Sequence, residues 1–208
     1  MNIRFLGHAS FIIEDNYKIA IDPFDLKTGE AVDIIFITHS HYDHCSPDDI
    51  TKLLDKETTI VAPEDCMEKL EGLGKKIISV EPNNTYEVGI KFKTVPAYNP
   101  SKPFHPKSNK WVGYIIYLTE SVYHPGDTDL IPEMKEVKTD YFLVPIGGTY
   151  TMNSEEGAEA VNTVSPKYAI PMHYGKIVGS PKDAQRFEEI YKNRYGGETK
   201  ILILTPEQ

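Results

Sequence analysis

The chain is short of cysteine, of positive charge and of long apolar runs. Only two cysteines, Cys45 and Cys66, occur in 208 residues. Two thiols cannot form a disulfide framework, and they point to a reducing compartment. No apolar run approaches the length that crosses a bilayer, so no membrane span is expected. The opening MNIRFLGHAS lacks the uninterrupted apolar core of a secretory signal. The expected setting is therefore the cytoplasm. Lys and Arg total 22 against 31 Asp and Glu, a net charge of −9. Non-specific binding to a phosphate backbone relies on Lys and Arg displacing counterions. No basic run with interleaved aromatics is present, so nucleic acid is not an expected partner. Neither a repeat nor a linker interrupts the chain, and its length suits one domain over residues 1–208. No G-x-S-x-G elbow offers a serine nucleophile.

Histidine is also scarce, but it is concentrated. Of seven histidines, His39, His41 and His44 fall with Asp43 inside ITHSHYDHCSP. A polar turn with incidental histidines is the plain reading. A metal site is the sharper one, because imidazole nitrogen and carboxylate oxygen together suit Zn²⁺, Mn²⁺ or Fe²⁺. In extended chain alternate side chains share a face, so His39, His41 and Asp43 can point together. The turn into a helix capped at Ser46 would swing His44 back. Two ligands from each half of the motif would serve two adjacent cations.

Residues Asn2–Leu6, Ser10–Glu14 and Lys18–Ile21 read as a strand meander. The continuous apolar run Asp33–Ile37 reads as a strand buried on both faces. Helices are expected over Pro47–Asp55, with a capping box from Ser46 to Asp49, and near Pro63–Leu73. Further strands are expected at Lys76–Val80, Thr85–Val88, Ile90–Val95, Val112–Leu118, Ser121–His124, Asp140–Val144, Tyr168–Pro171 and Lys200–Leu204. Ser154–Val164 and Pro181–Asn193 read as helices. This order suits two packed sheets with helices outside.

The chemistry-capable residues follow the buried strands. The His39–His44 cluster follows Asp33–Ile37, His105 lies in the loop after Ile90–Val95, Asp127 follows Ser121–Tyr123, and His173 follows Tyr168–Ile170. Strand ends at one edge of a sandwich converge on one cleft, and loops on a rigid scaffold are where sites sit.

H-x-H-x-D-H after a buried strand, the Gly126-Asp127-Thr128 loop and a late His after a strand resemble the metallo-β-lactamase superfamily. Leu6-Gly7-His8-Ala9-Ser10, Ile21-Asp22-Pro23-Phe24, Val144-Pro145-Ile146-Gly147-Gly148 and Met172-His173-Tyr174-Gly175 resemble one branch of it. That branch holds metal-dependent hydrolases and relatives of ascorbate-6-phosphate lactonase. The resemblance covers nearly the whole chain. It implies an α/β protein folded as a four-layer αβ/βα sandwich, with two divalent metal ions at the sheet edges. By motif, His39 and His41 would bind the first metal. Asp43, His44 and His173 would bind the second, and Asp127 would bridge both. The family's usual His after the strand Ile90–Val95 is missing. His105 is the expected replacement, with Asn99 as a weak ligand otherwise.

Other residues carry two readings. His8 is either a strand histidine satisfied by the backbone or a group touching substrate or a metal-bound water. Asp22 is a turn carboxylate or a partner orienting a ligand histidine. His124 reads as a strand-end residue and Cys45 as a small buried one. The implied activity is hydrolysis of a lactone, ester or phosphoester bond in a small metabolite, and a lysine near the metals would suit an anionic one. A water shared by the two cations would be activated, and Asp43 would orient the resulting hydroxide. The alternatives are a phosphodiesterase on nucleotide or phospholipid-type substrates, and a metal-binding protein without turnover. A di-iron redox protein fits less well, because that group prefers Glu at position 41 and needs a flavin domain. A homo-oligomer is left open.

Overall fold

Two apolar strand runs near the middle of each half determine the architecture, because strands buried on both faces must be covered on both. The computed structural model describes residues 1–74 and 76–207. One sheet holds β1 (Asn2–Gly7), β2 (Ser10–Glu14), β3 (Lys18–Ile21), β4 (Ile34–Phe36), β5 (Thr59–Pro63) and β6 (Lys76–Val80), in that spatial order. Its first two pairings are antiparallel and the other three are parallel. The second sheet runs β13-β12-β11-β10-β9-β8-β7. These are β7 (Thr85–Glu87), β8 (Lys91–Pro96), β9 (Val112–Tyr117), β10 (Ser121–His124), β11 (Tyr141–Pro145), β12 (Tyr168–Met172) and β13 (Lys200–Ile201). Pairings among β7 to β10 are antiparallel, and those from β10 to β13 are parallel.

Between the sheets lies one apolar layer, with Phe36, Phe92 and Tyr114 at its centre. The Phe36 ring lies 5.0 Å from Phe92 and 4.9 Å from Tyr114, centroid to centroid. The outer face of the first sheet packs Ile35, Ile37 and Ile60 against Ile50 and Leu70. Those two belong to α1 (Pro47–Thr51) and α2 (Met67–Leu70). The outer face of the second sheet packs Phe142, Val144 and Ala169 under α3 (Ser154–Val164) and α4 (Pro181–Ile190). The expected two sheets with outer helices, and the αβ/βα layering, are therefore both present.

Local departures have physical reasons. Pro63 was expected to open a helix, but Thr59–Pro63, where no strand was expected, is a parallel strand inside the first sheet. Pro63 thus ends β5, and the expected helix from Pro63 breaks into a 3₁₀ turn over Glu64–Cys66 followed by the short α2. The helix expected to reach Asp55 stops at Thr51, where Lys52 and Leu53 turn onto the carbonyls of Asp49 and Ile50. The Asp49 carboxylate accepts from Ser46 Oγ, from the backbone of Asp25 and Leu26, and from Lys52, so it ties the β3–β4 loop to this helix. The final strand pairs only over Lys200–Ile201, and residues 202–207 run on as a tail.

Phe36→Ala is expected to destabilise the protein by about 3–5 kcal/mol, the range for removing a buried aromatic from a packed core. Chemical denaturation would measure this, and a loss under 1 kcal/mol would mean that the two sheets do not depend on this layer.

Candidate metal centre

Every strand that carries a polar cluster points its end toward one edge of the sandwich. His8 follows β1, Asp22 follows β3, His39 to His44 follow β4, Asp127 follows β10 and His173 follows β12. The extended run does not continue past His41. His44 and Cys45 both donate backbone N–H groups to the His41 carbonyl, at 3.1 and 2.8 Å, closing a turn. The motif therefore splits differently from strict alternation. His39 Nε2 and His41 Nδ1 meet at 3.1 Å, while Asp43 turns toward His8 and His44.

Two groups of side chains result. His39, His41 and His105 have ligand atoms within 4.8 Å of one another, and so do His8, Asp43, His44 and His173. Asp127 sits between them. Its Oδ1 lies 3.4 Å from His44 Nε2, and its Oδ2 lies 3.4 Å from His105 Nε2 and 3.0 Å from His173 Nε2. All seven residues expected at the metals thus come together, with His8 beside them. His124 stays apart as a strand-end residue. Its Nε2 donates to the Ala9 carbonyl at 2.9 Å and its Nδ1 accepts from Gly126 N–H at 3.2 Å. Cys45 is buried under α1, as the plain reading had it.

Neighbouring residues fix the imidazole orientations. Asp22, fully buried, accepts from Thr38 N–H at 2.8 Å, from Thr38 Oγ1 at 2.6 Å and from His44 Nδ1 at 2.8 Å. Thr38 Oγ1 in turn accepts from His39 Nδ1 at 2.9 Å. One carboxylate therefore aims the Nε2 atoms of two histidines, the usual arrangement behind metal-bound imidazoles. Asn99 does the same for His105: its Oδ1 accepts from His105 Nδ1 at 2.7 Å, leaving Nε2 for the cluster. The Asn99 amide is therefore an orienting group. The Trp111 indole packs against His39, His41 and His105, with ring centroids 4.8–5.4 Å away, and its N–H reaches Asp65 Oδ2. Sequence reasoning missed Thr38 and Trp111. Thr38 stands beside the motif and Trp111 precedes a strand, so only their contacts reveal them.

Close backbone approach is built in at two glycines. A Cβ on Gly113 would lie 2.6–2.8 Å from the Pro125 backbone, next to the Asp127 loop. One on Gly147 would lie 2.4 Å from the His173 carbonyl oxygen. His8, Asp22 and His173 themselves adopt left-handed backbone, with φ of 55°, 44° and 60°. Such strain in non-glycine residues clusters at functional sites.

The electrostatics favour cations. Burial pushes the His39 and His41 imidazoles down, so both are neutral donors of a lone pair. Burial pulls His44 the same way, but the Asp127 and Asp22 carboxylates outweigh it and raise His44 well above the histidine range. Burial alone would raise Asp127; its histidine neighbours, His173 first, hold it well below the usual carboxylate range. His44 Nε2, His105 Nε2, Asp127 Oδ1 and both nitrogens of His173 are buried without a hydrogen-bond partner. Buried polar atoms are seldom left unpaired, since each costs about 1–3 kcal/mol. Lone pairs converging from imidazole and carboxylate fit a divalent cation of the Zn²⁺, Mn²⁺ or Fe²⁺ kind.

A two-sheet sandwich with a His/Asp cluster across its strand ends is a metallo-β-lactamase fold. A family model described as the beta-lactamase superfamily domain matches residues 2–173, and the chain belongs to this metallo-β-lactamase superfamily. A protein of Pyrococcus abyssi named as a metal-dependent hydrolase is 31% identical over 226 residues, covering 99% of this chain and 97% of its own. A crystal structure from Parabacteroides distasonis is 32% identical, with a TM-score of 0.84 over 99% of this chain and 93% of that one. A metallo hydrolase from Ignicoccus hospitalis is 25% identical, with a TM-score of 0.81 over 99% and 95% of the two chains. No helix among the described residues is long and apolar enough to cross a membrane.

Asp22→Asn keeps a residue that tolerates left-handed backbone but removes the charge that orients His44 and, through Thr38, His39. Metal affinity is expected to fall about 10–100-fold, the usual cost of losing such a partner. Competition with a chromophoric chelator would measure it; unchanged affinity in a folded variant would mean Asp22 has no orienting role.

Proposed function

We propose that this chain is a metal-dependent hydrolase of lactone, ester or phosphoester bonds in a small metabolite. His39, His41 and His105 would hold one divalent cation. Asp43, His44 and His173 would hold a second, with Asp127 between the two. The observation that carries this reading is the set of unpartnered imidazole and carboxylate atoms around Asp127. The names of the relatives support the hydrolase class.

Divalent cations held there supply Lewis acidity, which acidifies water and polarises a carbonyl or phosphoryl oxygen. The chain's own groups do the rest. Asp127, kept ionised, balances positive charge at the centre. His8 is brought to about 4 by burial, which outweighs its hydrogen bond to Asp43. At neutral pH His8 is therefore uncharged, and its Nε2–H donates to Asp43 Oδ2 at 2.8 Å. Burial alone would raise the Asp43 carboxyl; the His8 hydrogen bond and the His44 charge outweigh it and hold it at about 2. Asp43 thus stays a carboxylate, fixed on one side by His8, with its other oxygen left to hold the second cation and orient the attacking water. His8 consequently acts on Asp43, where the sequence had offered backbone satisfaction or substrate contact.

Chelator treatment is expected to abolish turnover, and Zn²⁺, Mn²⁺ or Fe²⁺ supplied separately to restore it. His41→Ala and Asp127→Ala should each lose metal and activity together, by at least 10²-fold in kcat/KM, the scale of losing a major electrostatic contribution. Retained turnover in both would remove the dinuclear mechanism. Hydrolysis of bis-p-nitrophenyl phosphate but of no ester or lactone would make the protein a phosphodiesterase. Full metal occupancy without turnover on any of the three would make it a binding protein.

Metal uptake should also release protons near neutral pH, because the His44 position holds a proton above the ordinary histidine range that a cation must displace. Calorimetric titration of chelator-treated protein in buffers of different ionisation enthalpy would read this; an apparent enthalpy independent of buffer would contradict it.

A further inference from the structure

A cavity of about 440 Å³ opens beside His8, within the range of about 300–1,000 Å³ typical of small-molecule pockets. Phe5, Tyr174, Pro181, Ile203, Leu204 and Pro206 supply most of its wall. Among the described lining residues the only charged side chain is Lys176, and its ammonium is already paired with Asp25. Gln185, Thr205, His8 and the Tyr174 hydroxyl are the other polar side-chain groups on the lining, and most of its surface is apolar.

The wall is built, not incidental. After β13 the chain donates from Leu202 N–H to the Ala169 carbonyl at 2.9 Å, and from Glu207 N–H to the Phe5 carbonyl at 2.7 Å. The tail is therefore pinned to the second sheet at one end and to the first sheet at the other. Residues 203–206 are held across the opening as an outer wall. The inner wall continues the candidate metal centre. Tyr174 directly follows His173, and its ring stacks 6.3 Å from Phe5. His8 lines the cavity and also bonds Asp43 at 2.8 Å. Its Nδ1 is buried without a partner. One imidazole thus separates the cavity from the carboxylate that would meet the attacking water.

We propose that this cavity binds the alkyl or acyl chain of the substrate, which makes the substrate class an amphiphilic ester or lactone with a medium-length hydrocarbon chain. The assignment rests on the hydrolase reading for the reaction, but not for the binding. A chain lying against Phe5, Tyr174 and Leu204 would place its polar end against His8, one imidazole away from Asp43. Each methylene buried there is worth about fourfold in affinity.

The test is calorimetric titration of the metal-loaded protein with acetate, butyrate and octanoate. The carboxylate is common to the series, so differences within it report the chain. Octanoate is expected to bind at least tenfold more tightly than butyrate. Leu204→Asp should remove that difference. Ile203→Ser, at a position already 41% exposed, should reduce it if the aspartate variant fails to fold. Turnover of p-nitrophenyl octanoate should exceed that of the acetate ester in kcat/KM by a similar factor. Equal binding of octanoate and butyrate, or octanoate binding unchanged in both variants, overturns the proposal even if the acetate ester is hydrolysed. Chain-length-dependent binding without any turnover supports the cavity as the alkyl site and overturns the hydrolase reading alone.

Discussion

Burying five or more imidazoles beside two carboxylates is unfavourable unless something fixes which nitrogen carries hydrogen, and here the Asp22 carboxylate does so. It has no exposure to water, and it accepts from the Thr38 backbone, the Thr38 hydroxyl and His44 Nδ1. Through Thr38 it also fixes His39. Without that anchor the two rings could rotate or exchange tautomers, and their Nε2 atoms would no longer share a target. The anchor is itself held by strand geometry: Asp22 N–H donates to the Phe36 carbonyl at 2.9 Å, directly continuing the β3–β4 ladder. The site therefore inherits its precision from two adjacent parallel strands, and those strands exist because their apolar residues are covered on both faces.

The same logic accounts for three of the seven described non-glycine residues in left-handed backbone. His8, Asp22 and His173 each sit just past a strand in left-handed conformation, which costs a non-glycine residue about 1–3 kcal/mol. The His173 N–H donates to the His8 carbonyl, so two of the strained residues hold one another across the two sheets. A turn tight enough to bring two imidazoles within 4.1 Å cannot be made from relaxed strand ends. The interlocked apolar layer around Phe36 and Phe92 offsets that cost.

Much of this was legible in the sequence. The density of ligand types in ITHSHYDHCSP and the position of Asp127 and His173 after apolar runs indicate a site before any coordinates. The two packed sheets with helices outside follow from the order of strand and helix patterns. What escaped was of two kinds. Thr59–Pro63 has no alternation and ends in proline, so a fully buried parallel strand there looks like any short apolar segment. Thr38, Asn99 and Trp111 act only through partners, and two of those partners become neighbours through loops closed by tertiary packing. Asn99 in particular has the chemistry of a ligand. Only the 2.7 Å contact with His105 Nδ1 shows that it orients one.

His105 illustrates how a side chain late in a long loop is delivered to the cluster. Its side chain reaches the cluster six residues after Asn99, and the loop returns because Asn99 N–H donates to the His105 carbonyl at 2.8 Å while His105 N–H donates to Asn99 Oδ1 at 3.1 Å. Asn99 is pinned beyond that by its Nδ2–H, which donates to the Tyr150 carbonyl at 3.0 Å. A side chain whose Nε2 ends 3.4 Å from Asp127 Oδ2 needs a fixed point, not a fixed sequence interval. Any loop length that closes this reciprocal pair would deliver His105 Nε2 to the same place, because loop-closure entropy grows only slowly with length. Spacing between metal-site histidines is therefore a weak constraint wherever a polar clamp of this kind sets the end point, and a strong one only inside the continuous motif from His39 to His44.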